Sequence, residues 1–292
     1  MYKIVIVILH YMQEEYTKKC VKSIFDTIGY ENFHIVIVDN NSSNQSGISL
    51  EQYYREEKKV KVLLIKENLG FAKGNNKGYK YAKDVFDADF IYVINNDTYI
   101  EQKFWGKMVL DEFEKEKFHV LGPDIITIDG VHQNPLRKEI FSEKELVRTL
   151  LKWNLMLFYY KIKEKSPLFS HIQILENYQK KKKDKQVEIR RCQEKQNAVV
   201  LHGAALMFSP LYIEKFQDAF NPITFMYMEE HFLALRCRKN DMKMCYFPDL
   251  KIIHLEKGST STVFNSEPKK KIFYLKESIS SGKKFLRLIK KG

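Results

Sequence analysis

Four short stretches of this chain end on side chains that could do chemistry. In Phe90-Ile-Tyr-Val-Ile-Asn-Asn-Asp97, a run of strand formers stops at Asn95, Asn96 and Asp97. A carboxylate would not tolerate burial inside that run, so Asp97 belongs at a strand's carboxyl end, the rim where open α/β sheets bind ligands. Oxygen donors there suit a hard divalent cation bridging two phosphates, although Asn-Asn-Asp is also ordinary turn chemistry. His34 to Val38 stops in the same way at Asp39-Asn40-Asn41-Ser42. Glu229 and Glu230 stand just before an amphipathic stretch with Leu233 and Leu235, where a helix N-terminus would favour their ionised forms. His254 closes the apolar pair Ile252-Ile253. By its own pattern such a histidine is more often structural than a ligand.

The elements that must position these groups alternate between strand and helix. Tyr2 to Leu9 is a continuous apolar run, consistent with a central parallel strand covered on both faces, and it ends at His10-Tyr11. Tyr16, Cys20, Ile24 and Ile28 then share one face at helical spacing, and Gly29 closes that helix. His34 to Val38 reads as the second strand, Ser49 to Lys58 as a helix and Val60 to Ile65 as the third strand. This βαβαβ order predicts a right-handed, doubly wound α/β sheet. Between Glu67 and Gly78 glycine and asparagine are too dense for an ordinary helix. One reading is close approach of the main chain to a ligand at Gly70 and Gly74, with Lys73 supplying charge for phosphate and Asn76 hydrogen bonds. The other is a loop leading into a glycine-tolerant helix that runs to Ala82. A Walker loop is excluded, because Gly-Lys-Ser/Thr is missing.

Farther on, Phe104 to Lys117 carries Met108, Leu110 and Phe113 at helical spacing, and Val120 to Pro123 starts a strand. Ser142 caps a helix through Leu150, Trp153, Leu157 and Tyr160 that ends in lysines. It is either an interfacial helix or one packed on its own domain with a solvated basic side. Lys180 to Lys185 reads as a charged linker or an exposed helix surface, solvated rather than a specific site. Ala198 to Phe208 has a strand pattern in which Gly203, Ala204 and Ala205 are small enough for a sugar to lie against the backbone, or for tight core packing. Lys243 to Pro248 and Lys251 to His254 read as two short strands, followed by Gly258 to Ser261.

Composition bounds the rest. The 292 residues, 44% hydrophobic, suffice for one large domain or one with an appended module. The four cysteines lack metal-type or secreted-scaffold spacing, so reduced thiols in a cytosolic setting are expected. Ile4 to Leu9 is too short for a signal sequence or a span. The net charge of +12 is local: residues 137–196 and 257–292 each carry an excess of eight positive charges, leaving the remainder at −4. That points to local contact with an anionic surface rather than to a nucleic-acid-binding fold. In the tail, Phe285, Leu286, Leu288 and Ile289 among lysines and Arg287 suggest a helix that either touches an anionic membrane or packs back on the domain.

The ordered set Asp39-Asn-Asn-Ser, Asn68-Leu-Gly-Phe-Ala-Lys-Gly-Asn-Asn76-Lys-Gly and Asn95-Asn-Asp97 closely resembles the nucleotide half of inverting family 2 glycosyltransferases, particularly their bacterial rhamnosyltransferase-like branch. The resemblance implies a GT-A fold, a Rossmann-like doubly wound mixed sheet. It implies that His10, Tyr11, Asp39, Asn68, Gly70, Phe71, Lys73, Asn76, Asn95 and Asn96 serve a nucleoside diphosphate sugar, with Asp39 on the base. Asn95-Asn96-Asp97 stands in for the family's Asp-x-Asp motif. Asp97 is then the ligand of Mn2+ or Mg2+, with one charge fewer because Asn95 replaces the first aspartate. Glu229-Glu230-His-Phe232-Leu resembles the Glu-Asp-x-Asp-Leu motif, which makes Glu230 the catalytic base, while Phe232 replaces the later aspartate. Tyr246-x-Pro248, His254 and Ser259 match relatives in which this histidine reaches metal or diphosphate. Gly203, Ala204 and Glu229 would line the acceptor or donor-sugar pocket.

These assignments divide the chain into a nucleotide-sugar half (1–125), a helical basic insertion (126–197), an acceptor and catalytic half (198–262) and a basic tail (263–292). The implied activity is metal-dependent transfer of a sugar, rhamnose among the candidates, from a dTDP- or UDP-linked donor to a glycan or lipid-linked saccharide in capsule or O-antigen synthesis. The expected place is cytoplasmic, peripheral on the inner face of the membrane, with no nucleic-acid partner. A sugar-nucleotide pyrophosphorylase is the alternative enzyme, but His10-Tyr11-Met12-Gln13 stands where its basic glycine loop would follow the first strand. A non-enzymatic membrane or nucleic-acid module would leave Asp39, Asp97 and Glu230 without purpose.

Overall fold

The computed structural model describes residues 1–165, 193–256, 264 and 266–291. The Lys180–Lys185 linker, the Gly258–Ser261 turn with Ser259, and Cys192 lie outside the described residues. In chain order the elements are β1 (Ile4–His10), α1 (Glu14–Thr27), β2 (Phe33–Asp39), α2 (Ser46–Tyr53), β3 (Val60–Leu64), α3 (Gly70–Asp84), β4 (Phe90–Asn95) and β5 (Thr98–Tyr99). Then follow α4 (Trp105–Glu116), β6 (Val120–Thr127), α5 (Glu143–Lys165), β7 (Gln196–Asn197), β8 (Ala205–Phe208), α6 (Pro210–Lys215), α7 (Glu229–Lys239), β9 (Met244–His254) and α8 (Glu267–Lys290).

One mixed sheet runs β3-β2-β1-β4-β8-β6-β9-β5, with β7 paired to β9. The first four strands in that order are mutually parallel, and β8 runs against both β4 and β6. β1 explains why its sequence shows no alternation. Ile4, Ile6 and Ile8 face the layer with α1 and α4, whereas Val5 and Val7 face the layer with α3 and α6, and all five are fully buried. The winding direction reverses between β1 and β4. That switch point opens a crevice at the strands' carboxyl ends, where His10 pairs with Asp39 and Leu9 with Asn95.

The glycine-rich segment corrects an expectation. It is an α-helix from Gly70 onward, and its glycines serve packing. A Cβ on Gly74 would meet Leu9 Cδ1 at 2.7 Å, and one on Gly78 would meet Val7 Cγ1 at 2.3 Å and Val38 Cγ2 at 2.8 Å. The helix thus lies on the sheet at a distance that side chains forbid. Gly70, at φ +74°, has Phe225 O 2.1 Å from where its Cβ would stand. It accommodates a neighbouring loop in a backbone region that glycine reaches without strain.

The tail helix α8 is continuous and does not break at Ser280-Ser281-Gly282. Ser281 Oγ donates to Met226 O at 2.9 Å, and a Cβ on Gly282 would press on Leu150 Cδ2 at 2.9 Å. Ile272 and Leu275 pack with Tyr160, while Ile279 and Phe285 join Leu146, Leu150, Met228 and Phe232. The tail's apolar stripe is therefore covered by α5 and α7. Likewise the two short strands expected near the end form one strand, β9, whose register shifts opposite Pro123 and Asp124. Among the described residues no helix is long and apolar enough to cross a membrane.

Close helix–sheet contact makes Gly78 a test of this packing. Gly78→Val overfills a space closed by Val7 and Val38, and stability should fall by about 1–3 kcal/mol in urea denaturation. An unchanged midpoint would mean that α3 does not sit on β1 as described.

Candidate active site

Two cavities meet at the crevice. The smaller, about 210 Å³, lies between β1 and β4 and is lined by Tyr11, Asn40, Asn68, Phe71, Asn96 and Phe273 among others. The larger, about 660 Å³, reaches Gly203, Glu230 and His254 and is walled by Trp153, Tyr227 and Tyr274. Phe71, Asn95, Asp97 and Met226 border both, so they form one cleft.

The floor of the smaller cavity is built by amides. Asn40 Nδ2 donates to Asn68 Oδ1 (3.0 Å) and Gly70 O (3.2 Å), and Asn40 Oδ1 accepts the Leu69 N–H (2.9 Å). This clamp fixes the entry of α3, and Asn40 went unnoticed in the sequence because it reads as one more turn asparagine. Asp39, 6% exposed, accepts the Ser42 N–H at 3.3 Å and does not itself line the cavity. Directly behind it is His10, which corrects its assignment to ligand contact. Its ring is fully buried, with Nδ1 2.7 Å from Thr17 Oγ1 and Nε2 2.8 Å from Ser46 Oγ. Burial lowers its pKa to about 4, so the ring is a neutral brace under Asp39.

Asn76 and Lys73 also fall outside the cleft. Asn76 is buried, donating to Phe220 O (2.8 Å) and accepting the Phe220 N–H (2.9 Å), which ties α3 to the loop after α6. Lys73 is exposed on the outer side of α3. Helical spacing explains both positions, since the cleft meets only the first turn of α3. Asn96 lines the smaller cavity, with its Nδ2 held by Thr17 Oγ1 at 3.1 Å.

Asp97 and His254, far apart in sequence, are joined by the two-residue strand β5. Thr98 pairs with His254, and Asp97 O accepts the Leu255 N–H at 2.9 Å. That register leaves His254 Nε2 3.3 Å from Asp97 Oδ1. Gln133, which no motif flagged, orients the ring: its Nε2 donates to Glu256 Oε1 (2.8 Å), so its Oε1 faces His254 Nδ1 (2.7 Å) as acceptor. With the proton on Nδ1, Nε2 turns a lone pair toward the carboxylate. Asp97 is 2% exposed, and its buried Oδ2 has no partner. Two lone-pair donors side by side, one with an orphaned oxygen, suit a divalent cation. Among the described residues no three His, Cys, Asp or Glu side chains converge, so any such ion would need further oxygens from a ligand or water.

The acids at the start of α7 differ sharply in surroundings. Tyr227 and Met228 both take φ +69°, a costly backbone for non-glycine residues, and turn the chain so that Glu229 and Glu230 open the helix. Glu229 is 3% exposed and accepts Thr224 Oγ1 at 2.9 Å. Burial, with repulsion from Glu230, raises its pKa to about 8. Glu230 lines the larger cavity and accepts the Gly203 N–H at 3.3 Å; burial raises its pKa as well. Repulsion from Glu230 adds to burial at Glu229, so Glu229 is the acid of the pair that keeps its proton at neutral pH. A Cβ on Gly203 would stand 2.9 Å from Glu230 Oε1, so that glycine makes room for the carboxylate. Gly203 and Ala204 do line the cavity, though Glu229 is mostly withdrawn from it into its bond with Thr224.

Sequence reading missed the aromatic wall. Tyr227 and Tyr274 meet edge to face at 4.8 Å, Trp153 flanks them, and Arg137 stacks on Phe141 at 4.1 Å. In the sequence Trp153 marks only one side of a helix, interfacial or packed, and nothing there shows that it walls a cavity.

The raised acid gives a signed expectation. With a folded pKa of about 8 against an unfolded value near 4.5, Glu229 adds most to stability below pH 4.5, and this is lost as pH rises through 8. Glu229→Gln should therefore melt higher than the parent protein at pH 8–9 and about equally at pH 4.5. A variant less stable at both ends would show that Glu229 is ionised in the fold.

Comparison with known proteins agrees with this geometry. Glycosyl transferase family 2 matches residues 5–171. The Streptococcus pneumoniae glycosyltransferase GlyG is 25% identical over 117 residues, covering 40% of this chain and 37% of its own. The Bacillus subtilis minor teichoic acid biosynthesis protein GgaB is 28% identical over 119 residues, 40% of this chain and 12% of its own. S. aureus TarS 1–349 in complex with UDP superposes with a TM-score of 0.55 at 13% identity, covering 87% of this chain and 60% of that one, which is a likeness of fold. The chain thus spans less than two thirds of each of these proteins. Its sheet order and crevice are those of the GT-A-like architecture, and with more than half its length matched, the chain belongs to glycosyl transferase family 2.

Proposed function

We propose that this chain transfers a sugar from a UDP- or dTDP-linked donor to a hydroxyl of a cell-surface glycan or lipid-linked saccharide, with inversion at the anomeric carbon. The observation that carries the reading is the cleft itself, with Asp97 and His254 at the meeting of the two cavities and Glu230 in the larger. Family membership supports the reaction class, GgaB's role in minor teichoic acid biosynthesis supports the acceptor class, and TarS in complex with UDP supports the donor base.

In this reading the nucleotide lies over the Asn40–Asn68 clamp, with Tyr11 at its base end, Asp39 buried behind that end, and the diphosphate toward Asp97. A divalent ion, Mn2+ or Mg2+, would be held by Asp97 and His254 and would neutralise charge on the departing diphosphate. Glu230 takes the proton of the acceptor hydroxyl as its oxygen bonds to the anomeric carbon. The bond to the diphosphate breaks on the opposite side, and the electron pair leaves with the diphosphate. No enzyme nucleophile is required for a single displacement. A neutral Glu229 lets Glu230 remain the single ionised base, because two adjacent buried carboxylates repel when both are charged. The wall of Trp153, Tyr227 and Tyr274 offers aromatic faces to the acceptor saccharide.

Two variants separate the roles. Asp97→Ala should stay folded yet lose metal-dependent UDP or dTDP binding in calorimetry with manganese; retained metal-dependent affinity would remove Asp97 from the ion. Glu230→Gln should bind donor nearly as before while turnover falls by about 10²–10⁴. If Glu229→Gln is the crippled variant instead, the base is its neighbour. A panel of UDP- and dTDP-sugars, rhamnose among them, scored by thermal stabilisation with manganese, identifies the donor.

A further inference from the structure

The tail's apolar stripe is packed away, but α5 carries a second one that nothing described covers. Leu151, Leu155 and Phe158 are 62%, 71% and 65% exposed, and Val147 extends the row. Their spacing of four, four and three residues places them along one side of the helix. The opposite side, with Leu146, Leu150, Trp153 and Tyr160, packs against α7 and α8. An apolar row this long on a surface helix marks an interaction site.

Charge along its borders identifies the partner. Lys144, Arg148 and Lys152 are exposed along one border. On the other, Asn154 and Leu157 form one wall of an open groove whose far wall, on α8, carries Lys276, Lys283, Lys284 and Arg287. Among the described residues no carboxylate lines that groove. The helix's acids are engaged or off the row: Glu143 pairs with Lys290 at 3.1 Å, Glu145 binds Arg137, and Glu164, exposed near the helix end, lies seven residues beyond Leu157 and so to one side of the apolar row. A convex apolar row between two cationic borders matches the plane of an anionic bilayer, with apolar side chains among the acyl chains and cations at the headgroups.

We infer that α5 and the adjoining α8 groove form a docking face for an anionic phospholipid membrane. Trp153 on the inner side of α5 lines the larger cavity, so membrane contact sets that cavity about one helix diameter, roughly 10 Å, from the lipid surface. An acceptor carried on a lipid would then reach Glu230 without leaving the membrane; this consequence rests on the proposed transferase reading, whereas the docking face does not.

Vesicle flotation of the full chain tests the face, using phosphatidylcholine with and without phosphatidylglycerol. The parent protein should float with the anionic vesicles and be released by high salt. Leu151→Ser/Leu155→Ser/Phe158→Ser, all at exposed positions and checked for an unchanged thermal melt, should lower partition by more than about tenfold. Lys283→Glu/Arg287→Glu should lower it by roughly fivefold or more per site, and only on anionic vesicles. Equal flotation of the parent and the triple serine variant overturns the inference, as does equal binding to neutral vesicles. A parent dimer that the triple variant converts to monomer, without vesicle binding by either, would assign the row to a second copy of the chain. Turnover of a water-soluble acceptor separates the two proposals, since it should persist in both surface variants.

Discussion

The cleft depends on a pairing of only two residues. β5 joins the end of β4 to the end of β9, so that Asp97, at the close of one apolar run, comes to rest beside His254, at the close of another 157 residues later in the chain. A carboxylate 2% exposed with an unpartnered oxygen is costly in any fold. It persists because the backbone on both sides is fixed: Thr98 is in the ladder, the Asp97 carbonyl accepts from Leu255, and Thr98 Oγ1 donates to Asn95 O at 2.7 Å. The Gln133–Glu256 relay adds direction to the imidazole. An arrangement that holds an unsatisfied carboxylate with this much backbone order is one that the divalent ion of the proposed reading would complete.

The acids of α7 follow a different logic. Here nothing is left without a partner, since Glu229 has Thr224 and Glu230 has the Gly203 N–H. What matters is unequal solvation of adjacent residues, imposed by the two left-handed residues ahead of the helix. One acid is driven into the interior and kept protonated, and the other faces the cavity. Gly203 lies within this arrangement, because any side chain there would displace the Glu230 carboxylate.

Much of the nucleotide half was legible because the physics there is local. A strand buried on both faces must be apolar without alternation, and the first polar residues after it mark the rim, which is how Asp39, Asn95 and Asp97 could be read from β2 and β4. The glycine-rich segment misled for an instructive reason. Gly74 and Gly78 do mark a close backbone approach, but what approaches is the sheet, through Leu9, Val7 and Val38, and a sequence does not say which neighbour a missing Cβ admits. His10 and Asn76 failed similarly: polar residues near a rim can brace the scaffold as readily as face a ligand. Gln133, Trp153 and Tyr274 were illegible because their roles arise from contacts between segments distant in sequence, whose own pattern is weak.

That contrast bears on how the cleft divides its work. The residues matched by the family, 5–171, contain the Asn40–Asn68 clamp and Asp97, whereas Glu230, His254 and Tyr274 come from the remainder. In the proposed reading local motifs suffice for the nucleotide end, because a nucleoside diphosphate has one shape, which a strand end and a helix start can meet. The larger cavity is assembled from α5, α7, α8 and the loop at Gly203, and its form changes with the packing of those helices on one another. Gly282 against Leu150 and Ser281 against Met226 set that packing. In the proposed reading acceptor choice therefore resides in helix–helix contacts more than in any motif, and a substitution at Gly282 would reshape the cavity from behind, pressing on Leu150 and on Trp153 and Met228, which line it.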